Sequence, residues 1–237
     1  MCGIVGIVSQ NQVNQEIYNS LLLLQHRGQD STGISTMDGN GFHMFKSKGQ
    51  VSEAYRTRDM RTLSGNIGLG HVRYATRGSA HHEQEAQPFY VNAPYGIILV
   101  HNGNLTNTRE LEKELFKVDR RHTNTSSDTE MLLNVLATEL NSSIKGKELN
   151  PDDLFNSVQR LHSRVEGSYA SIALIAGHGL LAFRDPFGIR PLVIGKRIRE
   201  NNKTEWVIAS ESLVIENNDF QLVRDVEPGE AIFITSD

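Results

Sequence analysis

The sequence has one cysteine in 237 residues. That excludes an intrachain disulfide and a four-cysteine metal site. Long apolar runs are also missing: the longest, Tyr169 to Ala176, falls far short of the roughly 20 residues needed to span a bilayer as a helix. No membrane segment is expected. There is no basic excess, since 24 Lys and Arg against 28 Asp and Glu leave a net charge of −4. Nucleic acid and anionic lipid are therefore not expected partners. The first residues carry neither the charged nor the apolar region of a signal peptide, so the cytoplasm is the expected compartment. The Asn-x-Ser/Thr sequons at Asn124 and Asn202 then read as chance matches. No repeat, low-complexity stretch or Pro/Gly/Ser-rich linker interrupts the chain, and residues 1–237 read as one domain. Its 38% hydrophobic content is enough for a sizeable core.

The elements that are present are unevenly spread. Gly3 to Val8 is a short apolar run without strict alternation, the pattern of a strand covered on both faces. Ile17, Leu21 and Leu24 share one face of an amphipathic helix that Gly28 can stop. Asp38-Gly39-Asn40-Gly41 between Ile34–Met37 and Phe42–Phe45 predicts a hairpin. Ile67–Val72 and Tyr95–His101 read as strands, the second ending in a polar turn at His101-Asn102-Gly103-Asn104. Asn107–Glu110 and Ser127–Glu130 have capping-box spacing and predict two helix starts. Pro151 suits a first helical position, with Leu154, Val158, Leu161 and Val165 on one face and Gly167 as the stop. The rest reads as strands at Tyr169–Ala176, Leu180–Arg184, Leu192–Gly195, Trp206–Ser210, Phe220–Val223 and Glu230–Thr235. Hairpins, a helical middle, then more hairpins disfavour βαβ alternation and favour stacked antiparallel sheets covered by helices.

The lone cysteine stands at position two. A residue that small normally permits removal of the initiator methionine, which would leave Cys2 with both a thiol and a free α-amine. A thiol of pKa about 8.5 is mostly protonated at neutral pH, and an α-amine of pKa about 7.7–8.0 is matched to accept its proton. Nucleophile and base would then belong to one residue, anchored by the strand that starts at Gly3. The competing reading is a small buried apolar cysteine. The remaining candidates decide between them. Arg73 offers a guanidinium fork for an α-carboxylate, and Asp128 a carboxylate for an α-ammonium. The Asn102 side-chain amide and the Gly103 backbone N–H suit an oxyanion. Together these are the groups that a free amino-acid amide requires.

Met1-Cys2-Gly3-Ile4-Val5-Gly6, His26-Arg27-Gly28-Gln29-Asp30, His71-Val72-Arg73-Tyr74-Ala75-Thr76 and His101-Asn102-Gly103-Asn104-Leu105 together resemble the class II glutamine amidotransferases. Within that class, the Arg-Gly-Gln-Asp segment, Glu85-Ala86-Gln87-Pro88-Phe89 and Phe183 to Leu192 are similar to the amidophosphoribosyltransferase family, and the match covers the whole chain. The resemblance implies an N-terminal-nucleophile hydrolase fold, an α+β four-layer αββα sandwich of two antiparallel sheets. It implies Cys2 as nucleophile, its freed amine as base, Asn102 and Gly103 as oxyanion donors, and Arg73 and Asp128 as the glutamine clamp. Arg27 is similar to a family arginine near the nucleophile, and Thr76 lies in the loop that closes over glutamine. Arg77-Gly78-Ser79-Ala80-His81-His82 departs from the small residues common after that motif, which bears on how the loop closes.

Nothing after Gly229-Glu230-Ala231 resembles the diphosphate-binding loop of a phosphoribosyltransferase domain, so that partner domain is expected to be absent from this chain. The expected activity is hydrolysis of glutamine to glutamate and ammonia through a γ-glutamyl thioester. The full enzyme would pass ammonia to phosphoribosyl diphosphate in the first step of purine synthesis. No cofactor is expected in this chain, Mg2+ only with the missing domain, and a homo-oligomer only at full length. Three alternatives differ in kind: a silent glutamine-binding or assembly module while Met1 is retained, the glutaminase domain of another class II amidotransferase, and a self-cleaving or peptide-hydrolysing relative.

Other motifs are set aside. Gly68-x-Gly70 lacks the third glycine of a dinucleotide fingerprint, Arg73 standing in its place. Adjacent His81 and His82 point apart and read as exposed loop rather than metal ligands. His71 and His101 read as hydrogen-bonded structural histidines rather than a Cys–His dyad. Asp185-Pro186-Phe187-Gly188 reads as a turn between strands, with no catalytic role.

Overall fold

A computed structural model describes residues 1–39, 41–74, 85–144, 146, 148–200 and 202–235. A seven-stranded antiparallel sheet holds β1 (Gly3–Val8), β2 (Ser31–Asp38), β3 (Gly41–Lys48), β4 (Ile67–Arg73), β9 (Val193–Ile198), β10 (Thr204–Ala209) and β11 (Gln221–Asp225), in the order β11-β9-β10-β1-β4-β2-β3. A five-stranded antiparallel sheet holds β5 (Phe89–Val91), β6 (Ile97–Leu105), β7 (Gly167–Ile175), β8 (Gly179–Arg184) and β12 (Ala231–Ile234), in the order β12-β8-β7-β6-β5. The two sheets pack face to face through Ile4, Leu69, Val100, Ile172 and Ile208, all fully buried.

Helices cover both outer faces. The outer face of the larger sheet packs on α1 (Asn14–Leu23) and α7 (Ser212–Asn217), with Ile17, Leu21 and Ile215 meeting Val5, Ile34 and Val207. Two short helices, α2 (Val51–Ala54) and α3 (Thr57–Thr62), follow β3 on that side. The outer face of the smaller sheet packs on α5 (Asp128–Ser143), where Leu132, Val135 and Leu136 meet Ile97, Leu99 and Tyr169. Helix α4 (Thr108–Lys117) and helix α6 (Pro151–Arg164) pack on α5 in turn. Three apolar layers therefore separate four structural ones, the αββα order that the resemblance implies.

Several sequence expectations are met closely. The 38–41 hairpin forms, with Asp38 paired to Gly41. Asn150 accepts from the Asp153 N–H at 3.0 Å while Asp153 accepts from the Asn150 N–H at 3.3 Å, with Pro151 at the first helical position. Other expectations need correction. His101-Asn102-Gly103-Asn104 is not a turn: β6 runs on through these residues to Leu105, paired with β7 from Leu105↔Gly167 to Ile97↔Ile175. Nine consecutive partners on β7 outweigh the turn propensity of Asn and Gly.

The other two capping boxes mark real helix starts but do not close. Asn107 instead donates to the Arg164 carbonyl at 2.8 Å and accepts from the Glu166 N–H at 3.1 Å, tying α4 to the end of α6. Glu130 turns back on the preceding loop, accepting from the backbone N–H groups of Asn124 and Thr125 at 2.8 Å each and from Thr125 Oγ1 at 2.7 Å. Three donors there outweigh the one backbone N–H that a box would satisfy.

Candidate active site

One edge of the sandwich is left open by a short strand. Strand β5 pairs with β6 only as far as Phe89↔Leu99, so the main chain of β6 beyond Leu99 has no strand on that side. Alternate N–H groups along a strand point to the same edge. The His101 N–H donates to Gln87 Oε1 at 2.6 Å, and the Leu105 N–H donates to Asp128 Oδ2 at 3.1 Å. The Gly103 N–H belongs to this same set and lies between those two capped positions, facing the opening. A side chain at Gly103 would collide with the Ser168 carbonyl and the His101 ring, so only glycine keeps this strand continuous here.

The larger sheet contributes the other wall. Gly3 pairs with Val72 in the β1–β4 ladder, which puts Cys2 beside Arg73 at the end of both strands. Cys2, Arg73, Glu85, His101, Gly103 and Asp128 line a single cavity of about 280 Å³. The nucleophile candidate and both halves of the proposed clamp therefore share one space, large enough for a free amino acid. Asp128 is the first residue of α5, and its carboxylate sits at the helix N-terminus on the edge of β6. Thr76 and the His81-His82 pair lie outside the described residues.

Cys2 is held by its own carbonyl. Arg27 Nε donates to Cys2 O at 2.8 Å; with the Asn102 amide turned so that its oxygen faces the all-donor guanidinium, Nδ2 donates to the same oxygen at 3.2 Å and Oδ1 accepts from Arg27 Nη2 at 3.3 Å. Asn102 thus lies behind the nucleophile, fully buried and not among the residues that line the cavity, with one amide hydrogen on Cys2 O and one left over in that orientation. The Cys2 thiol lies 3.9 Å from the Tyr74 carbonyl, to which it donates. Burial pushes the thiol pKa up from its ordinary value; the Tyr74 contact and the Arg73 charge oppose this, and Asp128 adds to it. Both clamp charges therefore act on the sulfur itself.

Two groups near the site were not assigned from sequence. Glu85 pairs with Arg73 and accepts from Ser126 Oγ at 3.2 Å. Gln87 bridges His101 and Thr129, donating to the His101 carbonyl at 3.2 Å and to Thr129 Oγ1 at 2.9 Å. Their signal was the Glu-Ala-Gln-Pro-Phe segment, which carried family likeness without a role. His101 Nδ1 lies 3.2 Å from Thr129 Oγ1. His71 is fully buried with the His101 main chain as its polar neighbour, although among the described residues neither ring nitrogen has a partner at full hydrogen-bond geometry. Its place on β4, two residues before Arg73, turns it toward the smaller sheet, where it faces His101. Among the described residues no group of three or more His, Cys, Asp or Glu could hold a metal ion, and no helix is long and apolar enough to cross a membrane.

Comparison with known proteins places this geometry. Residues 71–217, most of the chain, match the family described as "Glutamine amidotransferase domain". The chain belongs to the glutamine amidotransferase domain family. Among curated relatives, the amidophosphoribosyltransferase of Pasteurella multocida is 57% identical over 99% of this chain and 46% of its own length. That of Escherichia coli K12 is 53% identical over 100% of this chain and 47% of its own. The solved glutamine phosphoribosylpyrophosphate amidotransferase from B. subtilis, in complex with ADP and GMP, superposes with a TM-score of 0.81 at 30% identity, covering 99% of this chain and 47% of that one. This glutamine amidotransferase domain therefore spans about half the length of the relatives it matches.

Proposed function

We propose that this domain hydrolyses glutamine to glutamate and ammonia through a γ-glutamyl thioester on Cys2. In the relatives the same domain is joined to as much chain again, and we infer that the ammonia made here serves transfer to phosphoribosyl diphosphate by a phosphoribosyltransferase half outside this sequence. That would make it part of amidophosphoribosyltransferase, in the cytoplasm, with no cofactor assigned to this half of the reaction.

The chemistry follows from the residues. With Met1 removed, the Cys2 α-amine takes the thiol proton, and the thiolate attacks the glutamine side-chain carbonyl. The oxygen of the tetrahedral adduct takes the Gly103 N–H and the spare Asn102 amide hydrogen. The amine returns its proton to the leaving nitrogen and ammonia departs. Water, deprotonated by the same amine, then attacks the thioester, releasing glutamate and restoring the thiol. Arg73 and Asp128 hold the α-carboxylate and α-ammonium and so fix the carboxamide against sulfur. Arg27 acts behind Cys2, and Thr76 is assigned to the loop over glutamine.

The observation that carries this reading is that Cys2, Arg73, Gly103 and Asp128 line one cavity of about 280 Å³ at the edge of β6. While Met1 remains, the base is missing because its nitrogen is an amide; Met1 instead reaches Arg190, whose Nη1 lies 2.9 Å from its sulfur. That form would bind glutamine without turning it over. The test is glutamate release measured on a sample whose N-terminal residue is determined by intact mass. Turnover is expected only from chains beginning with Cys2, and Cys2→Ala is expected to abolish it. Undiminished glutamate release by Cys2→Ala would refute the reading.

A further inference from the structure

The ring of contacts behind the nucleophile has an outer member to which no role has been given. Arg27 Nη1 donates to Glu211 Oε1 at 2.6 Å, and Arg27 is buried to 8% exposure. Glu211 immediately follows Ser210, and this pair leaves β10 directly over the first residues of the chain. The Ile4 N–H donates to Ser210 Oγ at 3.0 Å, and the Ser210 N–H donates to the Ile4 carbonyl at 3.0 Å. His26 Nε2 lies 3.0 Å from the same Glu211 oxygen, on the solvent side.

A primary amide can present either its oxygen or its nitrogen to a neighbour. Arg27 has only donors, so Asn102 must turn its oxygen toward Nη2, and its nitrogen is thereby forced toward the Cys2 carbonyl. That orientation holds only while the guanidinium stays in one plane. Arg27 is fixed there by two acceptors, the Cys2 carbonyl on Nε and Glu211 on Nη1. We propose that Glu211 is a positioning residue for glutamine hydrolysis, acting through Arg27 to set the Asn102 amide as an oxyanion donor. It touches neither glutamine nor sulfur. The inference rests on the thioester reading above and adds to it a residue 209 positions away in sequence.

The route predicts a particular pattern in a chain that begins at Cys2. Glu211→Ala is expected to lower kcat roughly tenfold, a tenth or less of what loss of a full oxyanion donor costs, with KM for glutamine within twofold, because Arg73 and Asp128 are untouched. Glu211→Gln keeps an acceptor oxygen and is expected to recover most of kcat. Alkylation of Cys2 by iodoacetamide, followed by mass, needs thiolate but no oxyanion donor, so its rate in Glu211→Ala should match the parent. Should Glu211→Ala fail to fold, Arg27→Lys tests the same route, since it keeps the charge beside Glu211 but loses the fork that reaches Asn102; its kcat should fall at unchanged KM. A kcat within twofold of the parent in either variant would overturn the proposal. So would an alkylation rate that falls in step with kcat, since the loss would then lie at sulfur. A parent chain beginning at Cys2 that releases no glutamate would fail the thioester reading itself, before any variant is compared.

Discussion

Arg73 donates from Nη2 to Glu85 Oε2 at 2.5 Å, so one edge of the guanidinium at the cavity wall is already taken by a carboxylate of the chain. A guanidinium has donors on more than one edge and can hold Glu85 while presenting N–H groups to a substrate carboxylate; an ammonium is a single point and must choose. Arg73→Lys is therefore expected to raise KM for glutamine by about tenfold, or about 1.4 kcal/mol of binding, with a smaller change in kcat. Steady-state kinetics over a range of glutamine concentrations checks this. An unchanged KM would remove Arg73 from the clamp.

The raised pKa of the Cys2 thiol has a direct readout. Burial is the largest cause, Tyr74, the chain-terminal ammonium and Arg73 work against it, and Asp128 adds to it, so at a given pH the chain that retains Met1 holds less thiolate than a free cysteine. Iodoacetamide labelling of that chain should be slower than that of free cysteine at pH 7.5 and should keep rising with pH beyond about 9. Asp128→Asn removes a negative charge that disfavours thiolate and should speed labelling. Slower labelling in Asp128→Asn would contradict the electrostatics of the cavity.

Much of this architecture is legible in the sequence because local and long-range preferences agree. The 38–41 turn, the Pro151 start and the apolar run from Gly3 to Val8 each specify an element that packing then keeps. What was not legible is where polar groups find partners. Asn102 looks like part of a polar turn, yet in β6 it points behind Cys2 because β7 pairs with the strand through Leu105. Glu211 carries no signal in the sequence, and Glu85 only its place in the Glu85–Phe89 segment, which has family likeness without a role. Their meaning comes from Arg73 and Arg27, which reach them only after the sheets are stacked, and no spacing rule connects Arg27 with Glu211. The candidate site residues could be named from their types, whereas the groups behind them depend on tertiary contacts.

His71 makes stability depend on pH. Burial and then the facing His101 push its pKa down to about 3, below the value of about 6.5 for an unfolded chain. Between those values the unfolded chain binds a proton that the folded chain does not, so stability is full above pH 6.5 and falls as pH drops toward 3. The slope from this one group approaches about 1.4 kcal/mol per pH unit. Urea unfolding at pH 7 and pH 5 should show a lower midpoint at pH 5, and His71→Leu should reduce the difference between the two. A pH 7 to pH 5 difference as large in His71→Leu as in the parent would place the effect elsewhere.

Asp185 is the clearest structural residue of the Phe183–Leu192 segment. Fully buried at the end of β8, it accepts from the backbone N–H of Tyr169 at 3.2 Å, of Phe187 at 3.0 Å, and of Ile189 at 3.2 and 3.1 Å. Its own carbonyl accepts from Gly188 and Gly229 at 2.9 Å each. One carboxylate thus fixes the loop after β8 and joins it to β7. Alanine would leave three main-chain donors without their acceptor; discounting for water that reaches the exposed Phe187 turn, the loss is about 3 kcal/mol. For a domain of this size that corresponds to a fall in Tm of about 6–12 °C. Asp185→Asn keeps one acceptor oxygen and should fall between. Because Asp185 does not line the Cys2 cavity, kcat per folded molecule should stay near the parent value. A thermal melt of Asp185→Ala within about 2 °C of the parent would show that the loop is held by its other contacts, those of Arg184 with the Gly188, Arg190 and Val226 carbonyls at 2.6 Å each.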